Sequence, residues 1–151
     1  MVSPWHACTS PKAHDLTGQP DGTYAFKVRQ TDQAGNRSVV TKSTYRLDRT
    51  APRMKLLRVA PNPFDLTKTR RCTIRFRLGE AGKVTVRIKR GTLLVRTLRT
   101  RFYRPGAIKR YWNGRNSKRR LVKAGRYTVV VIAVDRAHNK RVKTRRLTVK
   151  R

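Results

Sequence analysis

A chain of 151 residues carries 39 Lys and Arg against 7 Asp and Glu, a formal net charge of +32, with 37% hydrophobic and 30% charged residues. That length holds one large or two small domains with a real core, and the apolar content is that of a folded chain rather than a disordered one. The longest purely apolar run, Val129 to Val134, is six residues, far below the roughly 20 a membrane-spanning helix needs; seven acids among so many cations also argue against a divalent-metal or paired-carboxylate enzyme.

The charge is uneven. Residues 1–53 net +4 and residues 54–151 net +28, with the break near Arg49-Thr50-Ala51-Pro52-Arg53. A part so basic points to a polyanionic partner: an anionic envelope polymer, a nucleic acid or a membrane surface. A general bias towards arginine, here 26 against 13 lysines, would give the same count with no partner at all. Cys8 and Cys72 lie 64 positions apart, with no zinc spacing to His6, His14 or His138. The start, Met1-Val2-Ser3-Pro4-Trp5-His6, has neither the basic nor the apolar stretch of a signal peptide.

In chain order, strand patterns dominate. Tyr24, Phe26 and Val28 alternate with Ala25, Lys27 and Arg29, then Asp32-Gln33-Ala34-Gly35-Asn36 supplies turn formers and Val39 to Leu47 reads as the returning strand. Cys72, Ile74, Phe76 and Leu78 point one way while Arg71, Thr73, Arg75 and Arg77 point the other. After a turn at Gly79-Glu80-Ala81-Gly82, Val84, Val86 and Ile88 repeat the pattern against Thr85, Arg87 and Lys89. Leu93 to Leu98 and Ile108 to Trp112 are short strands. Tyr127, Val129, Val131 and Ala133 form the clearest inward row; their alternates Val130, Ile132 and Val134 are apolar too, which marks a central strand. Val142 to Val149 closes the series. No convincing amphipathic helix of ten residues occurs. The spacing predicts an all-β chain: an antiparallel immunoglobulin-like β-sandwich over 54–151, a linker at 51–53, and a further strand-rich module over 1–50. The expected core is Cys72, Ile74, Phe76, Leu78, Val84, Val86, Ile88, Trp112, Tyr127, Val129 and Val131. The module over 1–50 is expected to have three strands and an uncovered apolar face, with Trp5, Leu16, Tyr24, Phe26, Val28, Tyr45 and Leu47 lacking an opposing sheet.

An internal echo links the two parts. Gly22, Tyr24, Asp32, Ala34 and Asn36 recur at an offset of 103 as Gly125, Tyr127, Asp135, Ala137 and Asn139. Each copy reads as a glycine turn, an inward strand and an Asp-x-Ala-x-Asn hairpin turn.

Two resemblances follow from these motifs. Trp5-His6-Ala7-Cys8-Thr9-Ser10-Pro11, Asp21-Gly22-Thr23-Tyr24-Ala25-Phe26, Thr31-Asp32-Gln33-Ala34-Gly35-Asn36 and Asp48-Arg49-Thr50-Ala51-Pro52 resemble the end of a bacterial Ig-like repeat of large surface proteins. That likeness makes residues 1–50 a partial Ig-like module and implies a start 30 to 40 residues upstream, an upstream cysteine able to pair with Cys8, and a fragment of something longer. Pro61-Asn62-Pro63-Phe64, the pair of strands flanking Gly79-Gly82, Pro105-Gly106 and Trp112-Asn113-Gly114-Arg115-Asn116 with Val122, Gly125 and Tyr127 are similar to the Ig-like domain of flagellar hook-capping proteins and to C-terminal sorting domains. Asn113 and Asn116 stand where those domains carry acids, and the outward faces are more cationic. The resemblance implies a structural or surface module, extracellular or at the cell surface, without catalysis or cofactors.

Trp112, with Tyr111, Phe102 and Tyr103 among arginines, could stack nucleobases, but its alternation before Asn-Gly reads better as a core anchor. Cys72, in register with Ile74, reads as a buried, inert thiol. Asp32 and Asp135 offer one carboxylate per turn, too few hard oxygens for calcium, and read as acceptors of turn N–H groups. No catalytic or metal residues emerge, since no nucleophile motif, P-loop or metal spacing occurs. The binding candidates are basic: Arg71, Arg75, Arg77, Arg87 and Lys89, expected on one sheet face, and Arg115, Lys118, Arg119, Arg120 and Lys123 in the loop after the tryptophan. The function expected is a spacer, adhesion or terminal module of a bacterial surface or secreted protein, attracted to anionic envelope polymers and flanked by neighbouring Ig-like modules. The alternative is an intracellular protein that binds nucleic acid without sequence preference.

Overall fold

Alternation of small β-branched residues with arginine and lysine decides the architecture, and a computed structural model, described for residues 4–9 and 13–151, shows how. The chain divides into two compact units, Met1–Leu47 and Asp48–Arg151. Ser10 and Pro11 of the first resemblance, and Met1-Val2-Ser3 of the start, lie outside the described residues.

The first unit is an antiparallel pair, β1 (Gly22–Val28) and β2 (Thr41–Leu47), in register from Gly22 opposite Leu47 to Val28 opposite Thr41. Two strands form among the described residues, where the sequence suggested three. Val39 and Val40, read as the start of β2, precede it. As expected of a lone sheet, its apolar row stays open: Phe26, Val28 and Tyr45 are 44%, 43% and 58% exposed. Leu16, Tyr24 and Leu47 are half-buried.

The second unit carries eight strands: β3 (Met54–Ala60), β4 (Phe64–Asp65), β5 (Cys72–Leu78), β6 (Gly82–Arg90), β7 (Leu93–Tyr103), β8 (Gly106–Trp112), β9 (Gly125–Val134) and β10 (Lys140–Lys150). They form a three-stranded sheet, β3-β5-β8, and a five-stranded sheet, β4-β10-β9-β6-β7, every pairing antiparallel except the short parallel one of β10 with β4. This is an all-β, Ig-like sandwich. Between the sheets lie all eleven expected core residues, each at most 3% exposed, joined by Met54, Phe64, Ile108, Val122, Leu147 and Val149. Trp112 is the centre of this layer: its ring lies 5.9 Å from both Phe64 and Tyr127, and its indole N–H donates to Arg115 O at 2.9 Å. β9 runs between β6 and β10 as the central strand that its two apolar faces indicate.

Two features depart from the sequence pattern. β3 was not legible, because its register with β5 slips between Lys55 and Arg58, and the bulge puts both cations on the outer face despite their odd spacing. The two strands joined by the turn at Gly79-Gly82 do not pair. β5 belongs to one sheet and β6 to the other, so this turn is a corner between layers. Residues 48–53 join the second unit: Asn139 Nδ2 donates to Asp48 O at 2.8 Å, Gly79 N to Arg53 O at 2.8 Å and Arg141 Nε to Pro52 O at 3.3 Å.

The echo at offset 103 is structural. Tyr24 Oη donates to Pro20 O and Tyr127 Oη to Lys123 O, both at 2.6 Å and both four residues upstream. Such a bond is the tyrosine corner of Ig-like sandwiches, at the entry to the penultimate strand. Each following turn closes alike: Asn36 N donates to Asp32 Oδ1 at 2.8 Å, and Asn139 N to Asp135 Oδ1 at 2.9 Å. The residue before the asparagine is left-handed in both, Gly35 at φ +88° and His138 at φ +69°. The first unit thus has the form of the last hairpin of a sandwich.

Candidate polyanion-binding faces

The cations sit outward because their neighbours in the alternation sit inward. On the three-stranded sheet, Cys72, Ile74, Phe76 and Leu78 fill the core, so Arg75 and Arg77 project from β5 to solvent, with Arg71 exposed just before it. Cross-strand register then adds three cations: Arg58 lies opposite Arg75, which lies opposite Lys109, and Lys55 lies opposite Arg77. All five are exposed. No Asp or Glu occurs in β3, β5 or β8. Like charges placed directly opposite on a sheet repel, so the row Arg58–Arg75–Lys109 works against folding. Beside it, Arg71 lies 4.8 Å from the centre of the half-exposed Tyr111 ring.

Arg87 and Lys89 were expected to share that face. They do not, because β6 crosses to the five-stranded sheet, whose outer surface is the opposite side of the sandwich. There Arg87 stands opposite Val130 and Lys89 opposite Thr128. This second face is mixed: along β9 the half-buried Val130, Ile132 and Val134 stand opposite Arg87, Thr85 and Lys83 of β6 and Thr144, Val142 and Lys140 of β10. The ten candidate cations therefore fall into three groups rather than two.

The third group lies in the loop from 113 to 124. Arg115, Lys118, Arg119, Arg120 and Lys123 are exposed. Their loop is held by two asparagines: Asn113 Oδ1 accepts from Arg115 N at 3.2 Å and Asn116 Oδ1 from Arg120 N at 3.0 Å. An amide oxygen performs this acceptor role as well as a carboxylate, which leaves the loop's positive charge uncompensated. Arg115 itself folds back, its guanidinium donating to Arg119 O at 2.8 Å, so it is less available than its neighbours.

The sequence pattern did not reveal Lys55, Arg58 and Lys109. The signal was the pair of cations flanking Leu56-Leu57, unreadable without the bulge. The expected core positions all hold: Trp112, 1% exposed, offers no stacking face. Cys72 is fully buried, and burial pushes its thiol up to about 11, so it is protonated and unreactive at neutral pH. Cys8 is a free, exposed thiol.

This geometry defines an all-β, Ig-like sandwich with strongly cationic exteriors. No family model matches the chain, and no curated protein matches it. Among solved structures, dimeric latent PorU from Porphyromonas gingivalis is similar at 18% identity and a TM-score of 0.55, over 87% of this chain and 12% of that one. That likeness is one of fold, and this chain spans about an eighth of that structure's length. PorZ, a surface component of the type-IX secretion system of the same organism, matches at 27% identity over 63% of this chain and 11% of its own, with a TM-score of 0.41. Domains d3-d4 of the rat CD45 extracellular region match at 11% identity over 97% of this chain and 80% of theirs, with a TM-score of 0.42.

Proposed function

We propose that this protein is a non-catalytic, extracytoplasmic Ig-like module, a spacer, adhesion or terminal part of a larger bacterial surface or secreted protein, which binds anionic envelope polymers through its basic exterior. The observation that carries this reading is the acid-free outer face of β3-β5-β8, where Arg58, Arg75 and Lys109 stand directly opposite one another. Such an arrangement costs stability unless an anion is bound, so it favours a surface kept for a ligand over an unselected excess of arginine. The face is the outer side of a three-stranded sheet and carries no helix to enter a nucleic-acid groove, which favours recognition of charge density over base sequence. Surface location is supported by the order of the Pro61-Asn62-Pro63-Phe64 and Trp112-Asn113-Gly114-Arg115 motifs and by the sandwich fold.

Fractionation of the producing bacterium tests the location. The reading expects the native gene product in the envelope or the medium. Recovery with the cytosolic nucleic acid would overturn it in favour of the intracellular alternative.

A further inference from the structure

Three of the seven acids in this basic chain meet at one end of the sandwich. Asp48, Glu80 and Asp135 each place a carboxylate oxygen within 4.8 Å of the others. They come from three separate segments of the second unit: Asp48 at its entry, Glu80 in the corner between β5 and β6, and Asp135 directly after β9. Hydrogen bonds to backbone carbonyls hold these segments together. Gly79 N donates to Arg53 O, tying the corner to the entering chain, and Asn139 Nδ2 donates to Asp48 O, tying the β9–β10 turn to it.

The second observation is a buried oxygen without a donor. Asp135 is 8% exposed; its Oδ1 accepts from Asn139 N, but Oδ2 is buried and has no hydrogen-bond partner. The repeated turn in the first unit shows what is missing. There Asn36 serves both oxygens of Asp32, its N–H donating to Oδ1 and its amide Nδ2 to Oδ2 at 3.0 Å. In the second unit the equivalent amide, Asn139 Nδ2, is turned away to Asp48, donating to its backbone O at 2.8 Å and to its Oδ1 at 3.4 Å. The same motif is thus rebuilt so that one carboxylate oxygen is freed beside two more acids. The neighbouring cations Arg136 and Arg141 have other engagements, Arg136 lying over the Phe102 ring and Arg141 donating to Pro52 O and Ala51 O.

We propose that Asp48, Glu80 and Asp135 form a calcium site. The donor set is oxygen alone, with no His or Cys in the cluster, which disfavours zinc and other soft metals. Calcium accepts six to eight oxygens in irregular geometry, so three acids from three loops supply one position each and water or backbone the rest. Magnesium demands a regular octahedron that such a set provides less readily. A bound divalent ion would supply Asp135 Oδ2 with its missing partner and remove the mutual repulsion of the three acids. One carboxylate per turn is too few, as the sequence suggests; the fold supplies the other two.

Calorimetric titration of the full chain with calcium chloride, after chelator treatment and at physiological salt, tests this. The expected result is one saturable site with Kd of roughly 0.1 to 1 mM, the range of extracellular modules, together with a calcium-dependent rise in Tm. Magnesium should bind at least about tenfold more weakly, as the geometry argument requires. Glu80→Gln and Asp48→Asn should each weaken calcium binding by about tenfold or more, since each removes a charged ligand, with an unchanged circular dichroism spectrum. Asp32→Asn should bind as the wild type does. Absence of any saturable binding or Tm rise up to about ten times the upper expected Kd would overturn the site. So would wild-type affinity in Glu80→Gln, or equal affinity for magnesium.

Discussion

Reversing Arg75 should make the protein more stable, against the usual direction of a substitution in a sheet. Arg75 stands between Arg58 and Lys109 on the outer face, all three exposed. Directly opposed side chains on neighbouring strands interact by roughly 0.2–1 kcal/mol each, unfavourably when the charges are alike. Arg75→Glu turns two repulsions into two attractions. Allowing for the lower strand preference of glutamate and for solvent screening, the gain is about 1 kcal/mol, or a Tm rise of about 4 °C for a unit of this size. Arg75→Gln removes the repulsion without adding attraction and should give about half of that. Urea melts of the three proteins at low and high salt measure the effect. The wild type should gain stability as salt rises, because the Debye length shrinks to about 3 Å at 1 M, and Arg75→Glu should gain less. A destabilised Arg75→Glu, or a wild-type stability indifferent to salt, would refute the view of this row as frustrated.

Other outcomes follow from the core and the repeated turn. Tyr127→Phe removes the 2.6 Å bond to Lys123 O and should cost about 1 kcal/mol, read by urea melts, while Tyr24→Phe should leave the second unit's transition unchanged. A thiol reagent should label Cys8 in the native protein and Cys72 only on unfolding. Because burial raises Cys72 to about 11 from an ordinary 9, the native state holds its proton longer than the unfolded state, so stability is constant below about pH 9 and falls as pH rises to 11. The loss should reach about 3 kcal/mol, and a Cys72→Ala variant melted across the same pH range should lack it. Hydrogen exchange should open β1 and β2 well before β5, β6 and β9, since Phe26 and Val28 stay over 40% exposed while Val86 and Val129 are fully buried.

The sandwich core was legible because it is written in strict alternation. Cys72 to Leu78, Val84 to Ile88 and Tyr127 to Ala133 each place every second residue between the sheets, and the resulting face is unambiguous. Pairing was less legible. A glycine-containing turn between two alternating strands reads the same whether it closes a hairpin or carries the chain from one sheet to the other, so Arg87 and Lys89 were assigned to the wrong side of the sandwich. β3 escaped notice because a bulge resets its parity, and with it the partners Lys55 and Arg58 of the candidate face. The meeting of Asp48, Glu80 and Asp135 has no local signature, since these residues are 32 and 55 positions apart and only the corner between sheets brings them together.

Polyanion binding by the β3-β5-β8 face is read most directly from its salt dependence. Affinities for a teichoic-acid-type polymer, heparin and two DNA duplexes of unrelated sequence would be measured from low to physiological salt. The variants are one with Arg58, Arg75 and Lys109 reversed to Glu and one with Lys83, Arg87 and Lys89 reversed, equal in net charge on the opposite face. All four ligands should compete for one surface and lose affinity steeply with salt. Reversing the β3-β5-β8 row should lower the slope by about 0.9 for each phosphate no longer neutralised, roughly 2 to 3 in all, and by more than the opposite-face reversal does. A salt-insensitive complex, a strong preference for one DNA sequence, or equal weakening by both triple variants would contradict it.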